Sequence, residues 1–270
     1  MKTKKTVQLH KKWWLWASIG VIILSIITGE GSGIGVRMSK DAALEEAEEC
    51  LRYGAFSYDG LIEELTEYRG FTEEAAVYAA DHCGADWNEQ ALEAAEDDLK
   101  YSAYSYEGLI ESLGYRQFTD EQARYAADRC GADWNEQAAE AAQEKLKYAS
   151  GISYGGLIER LEYDDFTKEQ AKYGADHCGA DWNEQALEAA ESKLNYGSYS
   201  YDGLIDALEY DDFTKEQAEY AADHCGADWY EQAEKAAEEY GNGFFSDKAA
   251  LKKFLEREGF TDEQIRSAIE

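Results

Sequence analysis

One nine-residue stretch, Cys83-Gly84-Ala85-Asp86-Trp87-Asn88-Glu89-Gln90-Ala91, constrains this chain more than anything else in it. It returns at 130–138 and 178–186, and again at 225–233 with Tyr230 in place of the asparagine. Trp87, Trp134, Trp182 and Trp229 are therefore 47, 48 and 47 residues apart. A fixed period in this range marks a tandem repeat. A unit of that length is close to the lower limit for a free-standing core, so neighbouring units are expected to share packing. The chain has no proline and 23 glycines, so helices run uninterrupted and end at glycine.

The reading is an all-α fold: a tandem array of small three-helix, helix-turn-helix-like repeats after an N-terminal transmembrane helix. Residues 1–12 form a basic leader with five lysines. Trp13 to Thr28 contains 16 residues without a charge. As a helix it is roughly 24 Å long, against a hydrocarbon core of about 30 Å, and continuing to Val36 supplies the length at the expense of Glu30. Trp13, Trp14 and Trp16 beside the lysines form an interfacial belt, and Ile22, Ile23 and Leu24 fill the apolar centre. The lysines place the N-terminus in the cytoplasm. A cleaved signal peptide ending near Gly31, Gly33 or Gly35 is the competing reading, and the missing Ala-x-Ala favours an uncleaved anchor. The array then lies outside, as in a single-pass protein of a Gram-positive-type cell membrane.

Within a unit, Ser57 caps a first short helix bearing Leu61, Ile62 and Leu65. Thr72 caps a second, and its counterparts Thr119, Thr167, Thr214 and Thr261 are each followed three residues on by glutamine, a capping box. Gly84 suits the left-handed stop of that helix. Asp86, and likewise Asp133, Asp181 and Asp228, caps the long third helix, with Glu89 as an acidic analogue of the box. Trp87, Trp134, Trp182 and Trp229, with Cys83, Cys130, Cys178 and Cys225, are read as repeat core. Asn88 and Glu89 are the candidate partner-binding positions. Boundaries are set at 1–12 for the leader, 13–36 for anchor and linker, 37–101 for repeat 1 with a leading helix, 102–148, 149–196 and 197–240 for repeats 2 to 4, and 241–270 for a C-terminal half-repeat. Two length changes, one between Leu65 and Phe71 and one between Tyr148 and Tyr154, are assigned to loops, which tolerate them.

The net charge is −31, and with +5 in the leader the rest carries −36. That excludes nucleic acid, whose binding runs on phosphate neutralisation by Lys and Arg, and favours a basic protein partner. Five cysteines, four at one repeat position, do not make a disulfide framework. His82, His177 and His224 precede cysteines, but neighbours on a helix point about 100° apart, and Arg129 takes the place in the second unit. No metal is expected there. Asp164-Asp165 and Asp211-Asp212 lack the alternation of a calcium loop. No nucleophile with a partner and no phosphate loop is present, so neither enzyme activity, cofactor nor small-molecule substrate is expected.

The segments FSYDGLIEEL and FTEEAAVYAADHCGADWNEQALEAAEDDL, with their copies, resemble the Ltp family of host cell surface-exposed proteins. Its phage-encoded members are superinfection-exclusion lipoproteins. The resemblance covers residues 41–240, and its first half returns up to Glu270. It implies a bacterial or prophage surface protein of compact helical repeats that stops an incoming phage from injecting DNA by contacting the phage's tape measure protein. This sequence departs in two respects. It has no cysteine just after the apolar segment, so anchoring passes to Trp13–Thr28, and it carries four units and a half. The function expected is phage exclusion, and the alternative is a structural or adhesive cell-surface module.

Overall fold

The computed structural model describes residues 38–241 and 248–269. The anchor assigned to Trp13, Trp14, Trp16, Ile22, Ile23 and Leu24 lies outside them. Among the described residues no helix is long and apolar enough to cross a membrane. All the regular structure described is helical: α1 Lys40–Tyr53, α2 Tyr58–Glu63 continued by a π-helical turn at Glu64–Tyr68, α3 Glu73–His82, α4 Trp87–Tyr101, α5 Tyr106–Tyr115, α6 Asp120–Arg129, α7 Trp134–Tyr148, α8 Tyr154–Tyr163, α9 Lys168–His177, α10 Trp182–Tyr196, α11 Tyr201–Tyr210, α12 Lys215–His224, α13 Trp229–Gly241, α14 Lys248–Arg257 and α15 Asp262–Ile269.

Local chemistry sets the ends of these helices. Thr119, Thr167 and Thr214 close full capping boxes with Gln122, Gln170 and Gln217. Asp86 Oδ1 accepts from the backbone N–H groups of Asn88 and Glu89, and Asp133, Asp181 and Asp228 do the same for α7, α10 and α13. Glu89 does not reach back to complete a box; its Oε1 accepts instead from Tyr125 Oη on α6 at 3.0 Å. Gly84, Gly131, Gly179 and Gly226 all have φ near +70°.

The cores group the helices in a phase the period alone leaves open. One core joins α1, α2 and α3, the next α4 to α6, then α7 to α9, α10 to α12 and α13 to α15. Each unit thus begins with the long helix. The boundaries drawn at 101/102, 148/149 and 196/197 cut through units, and the segment 241–270 is completed by α13 into a fifth one. Inside a unit the long helix lies on the third through alanines, such as Ala91, Ala94 and Ala95 against Ala123, Ala126 and Ala127. Small side chains let the two helices approach closely. The second helix then plugs the open side with two fully buried leucines, Leu109 and Leu113 in the second unit, and Phe118 closes the end. Burying each leucine contributes about 2 kcal/mol.

The two length changes have different fates. The extra residue before Phe71 is absorbed inside a helix, as the π-helical turn Glu64–Tyr68, and not in a loop. A π-turn takes one residue more per turn without breaking the helix. The extra residue between Tyr148 and Tyr154 does fall in a loop, where Gly151 has φ +84°.

Candidate functional site: the joints and the exposed face

Each joint is built from the residues around the repeated motif. Trp87 is half-buried, and it packs against the core of the unit before its own helix. Its ring meets Tyr58 edge-on at 5.5 Å, and Trp134, Trp182 and Trp229 meet Tyr106, Tyr154 and Tyr201 in the same way. The tryptophans therefore seal one unit to the next. Cys83, Cys130 and Cys225 are half-buried and Cys178 buried, each against its own unit's core, and all five cysteines are free.

Two polar residues complete the joint. Gln90 Oε1 accepts from the backbone N–H of Phe56, and Gln137, Gln185 and Gln232 accept from Tyr104, Ile152 and Tyr199. Ser57 and Ser105 donate to the carbonyls of Arg116 and Asp164 in the following unit, and Ser200 to that of Glu258. The same hydroxyls accept from the N–H of Gly60, Gly108 and Gly203 as helix caps. A Cβ on Gly60 would sit 2.8 Å from Ser57 Oγ, which explains glycine three residues after this serine. Sequence reasoning saw the serine as a cap and missed the glutamine. Its signal was a glutamine three residues after each tryptophan, even in the copy where Tyr230 replaces asparagine.

The second helix is tied to the third by phenol–carboxylate bonds. Tyr58, Tyr106, Tyr154 and Tyr201 donate to Asp81, Asp128, Asp176 and Asp223 at 2.7–2.9 Å. The bond to Asp223 is the main reason Tyr201 is pushed up from 10.0 to about 12. His82, His177 and His224 are exposed, stack on Tyr78, Tyr173 and Tyr220, and bond the carbonyl one turn back through Nδ1. Arg129 does both over Tyr125, which accounts for the exchange of His for Arg. Among the described residues no group of three or more His, Cys, Asp or Glu is placed to hold a metal ion. Asp164 and Asp211 are paired with Lys145 and Lys193.

Asn88 is half-buried at the start of α4, with its N–H on Asp86. Glu89 is exposed but holds Tyr125. The most prominent exposed groups are tyrosines at helix ends. Tyr101, the last residue of α4, is 84 % exposed. Tyr104 and Tyr106 are half-buried.

The family described as host cell surface-exposed lipoprotein, Ltp, matches the chain at residues 39–83, 86–129, 133–178 and 181–225, together two thirds of its length. The four matches share the phase of the structural units, from the start of the long helix to the end of the third. The fifth unit lies outside them. No curated protein and no solved structure matches the chain. On four matches that follow its first four cores one by one, the chain belongs to the Ltp family of host cell surface-exposed lipoproteins.

Proposed function

We propose that this chain is a membrane-tethered binding protein of the cell surface that acts in superinfection exclusion, blocking phage DNA injection by holding a basic segment of the phage tape measure protein. The observation that carries the reading is the family match, repeated four times along one acidic array. The net charge of −31 supports a basic partner by steering its approach. The tether in this reading is the uncharged run Trp13–Thr28 behind five lysines. The first cysteine of this sequence, Cys50, is 6 % exposed inside the first core, so it is no site for a lipid. Binding outside the membrane explains how injection fails while attachment to the cell succeeds.

The test is infection of cells expressing the full chain, with adsorption and DNA delivery measured separately. The reading predicts unchanged adsorption and reduced delivery. Normal delivery at high expression contradicts it and leaves a structural or adhesive module.

A further inference from the structure

Two ladders of exposed tyrosine run through the first four units. Tyr53, Tyr101, Tyr148 and Tyr196 end the long helices and are 79–92 % exposed. Tyr68, Tyr115, Tyr163 and Tyr210 end the second helices, or the π-turn in the first unit, and are 63–89 % exposed. In the second unit the two flank one contact. Asp98 on α4 accepts from Ser112 and Arg116. Tyr101 lies one turn beyond Asp98 on α4, and Tyr115 one turn beyond Ser112 on α5. Lys145–Asp164 and Lys193–Asp211 join the same two helices in units three and four, with Asp164 and Asp211 directly after Tyr163 and Tyr210.

The fold does not require these rings. The fifth unit forms its core with Arg257 where the second tyrosine stands in the others. Nor are the copies merely unchanged duplicates. The residue before the first tyrosine is Arg52, Lys100, Lys147 or Asn195, and the residue after the second is Arg69, Arg116, Asp164 or Asp211. The surroundings vary in sign while all eight rings stay exposed. Exposed tyrosine offers a large, stiff contact area with few rotamers to freeze, and its face attracts cations.

We infer that the paired tyrosine ladders are the docking surface of the array, and that their occupant is a linear polypeptide alternating Lys or Arg with apolar side chains. The net charge selects that class: Glu111 bonds Tyr115, Asp165 and Asp212 stand two residues after the second tyrosines of units three and four, and the −31 of the chain outweighs the cations beside the first tyrosines. An acidic partner is repelled, and a cationic one is held by ring faces and carboxylates together. Four equivalent sites on one chain add avidity for a partner long enough to reach several.

The inference rests on the reading above for the partner's class, and its test is separate from infection. Fluorescence anisotropy is read on the full chain with labelled peptides of about twenty residues, one alternating Lys and Leu and one alternating Lys and Ser, equal in charge. Replacing Tyr53, Tyr101, Tyr148 and Tyr196 by Ser is expected to weaken the Lys–Leu peptide by about tenfold or more and the Lys–Ser peptide, which loses only the cation–ring contacts, by clearly less, at wild-type helicity. Serine at Tyr68, Tyr115, Tyr163 and Tyr210 is the second variant and gives the same result. Wild-type Lys–Leu affinity in both variants overturns the inference. If peptide binding depends on the ladders while DNA injection stays normal, exclusion fails and the docking surface stands.

Discussion

A buried serine hydroxyl carries two jobs in this fold, and its loss shows at both. Ser105 is 2 % exposed, caps α5 through Gly108 N–H and donates to the Asp164 carbonyl of the next unit at 2.6 Å. Removing such a cap costs about 1–2 kcal/mol, and the orphaned carbonyl adds to it. Ser105→Ala is therefore expected to lower the urea midpoint more than Ser39→Ala, whose hydroxyl caps α1 alone on an exposed turn. Alkaline titration probes a second kind of residue. Burial pushes the Cys50 thiol up from 9.0 to about 11, against the pull of Arg69. A value raised on folding means that the fold prefers the protonated form. That contribution is complete below pH 9 and is lost as pH rises through about 11. Urea midpoints of the wild type should fall over this window more steeply than those of Cys50→Ala, and iodoacetamide at about pH 8 should label Cys50 last of the five thiols. Caps such as Asp86 and Thr119 were legible in the sequence because their partners lie two or three residues away. Gln90 was not, because its partner Phe56 lies 34 residues back.

At the scale of elements, one position on the long helix shows how the units trade charge. Asp98 pairs with Arg116 in the second unit, while Lys145 and Lys193 pair with Asp164 and Asp211 in the third and fourth. Asp98→Lys alone sets two cations together in a half-buried site and should cost about 1–3 kcal/mol. Adding Arg116→Asp restores the pair, though not the bond from Arg116 to the Ala55 carbonyl across the joint. A double-mutant cycle by urea denaturation checks this, and additive losses contradict it. Gly151 gives the joint its tightest contact. A Cβ there would lie 2.3 Å from Ala189 N, at φ +84°. Gly151→Ala is expected to cost about 2 kcal/mol or more, read as early loss of amide protection across α7 to α12. The helices and their order were legible, since alanine spacing and caps are local signals. The phase was not: a period reads the same from any starting element, and only the packing of Trp87 on the preceding core decides it. The π-turn in the first unit was hidden too, because an added residue looks alike in a helix and a loop.

Over the whole molecule, five cores follow one another, each sealed to the next by a tryptophan, a glutamine and, at three of the joints, a serine hydroxyl. Such a chain is stabilised unit by unit and across nearest neighbours. The front of α1 departs from the later long helices. Where they carry Ala94, Ala141, Ala189 and Ala236, it has Glu46, which bonds Arg69 beside a shallow depression lined by Met38, Ser39 and Glu49. The array is thus finished differently at its first unit. Eight tyrosines at helix ends of the first four units stay exposed on an acidic body. Family membership was legible from the repeated motif. The surface was not, because a tyrosine at a helix end reads equally as packing or as display until its exposure is known. The most direct test of the account counts nuclease-protected phage genomes per adsorbed particle, in cells with and without the full chain. The account predicts fewer protected genomes at equal adsorption, and equal counts at high expression would contradict it.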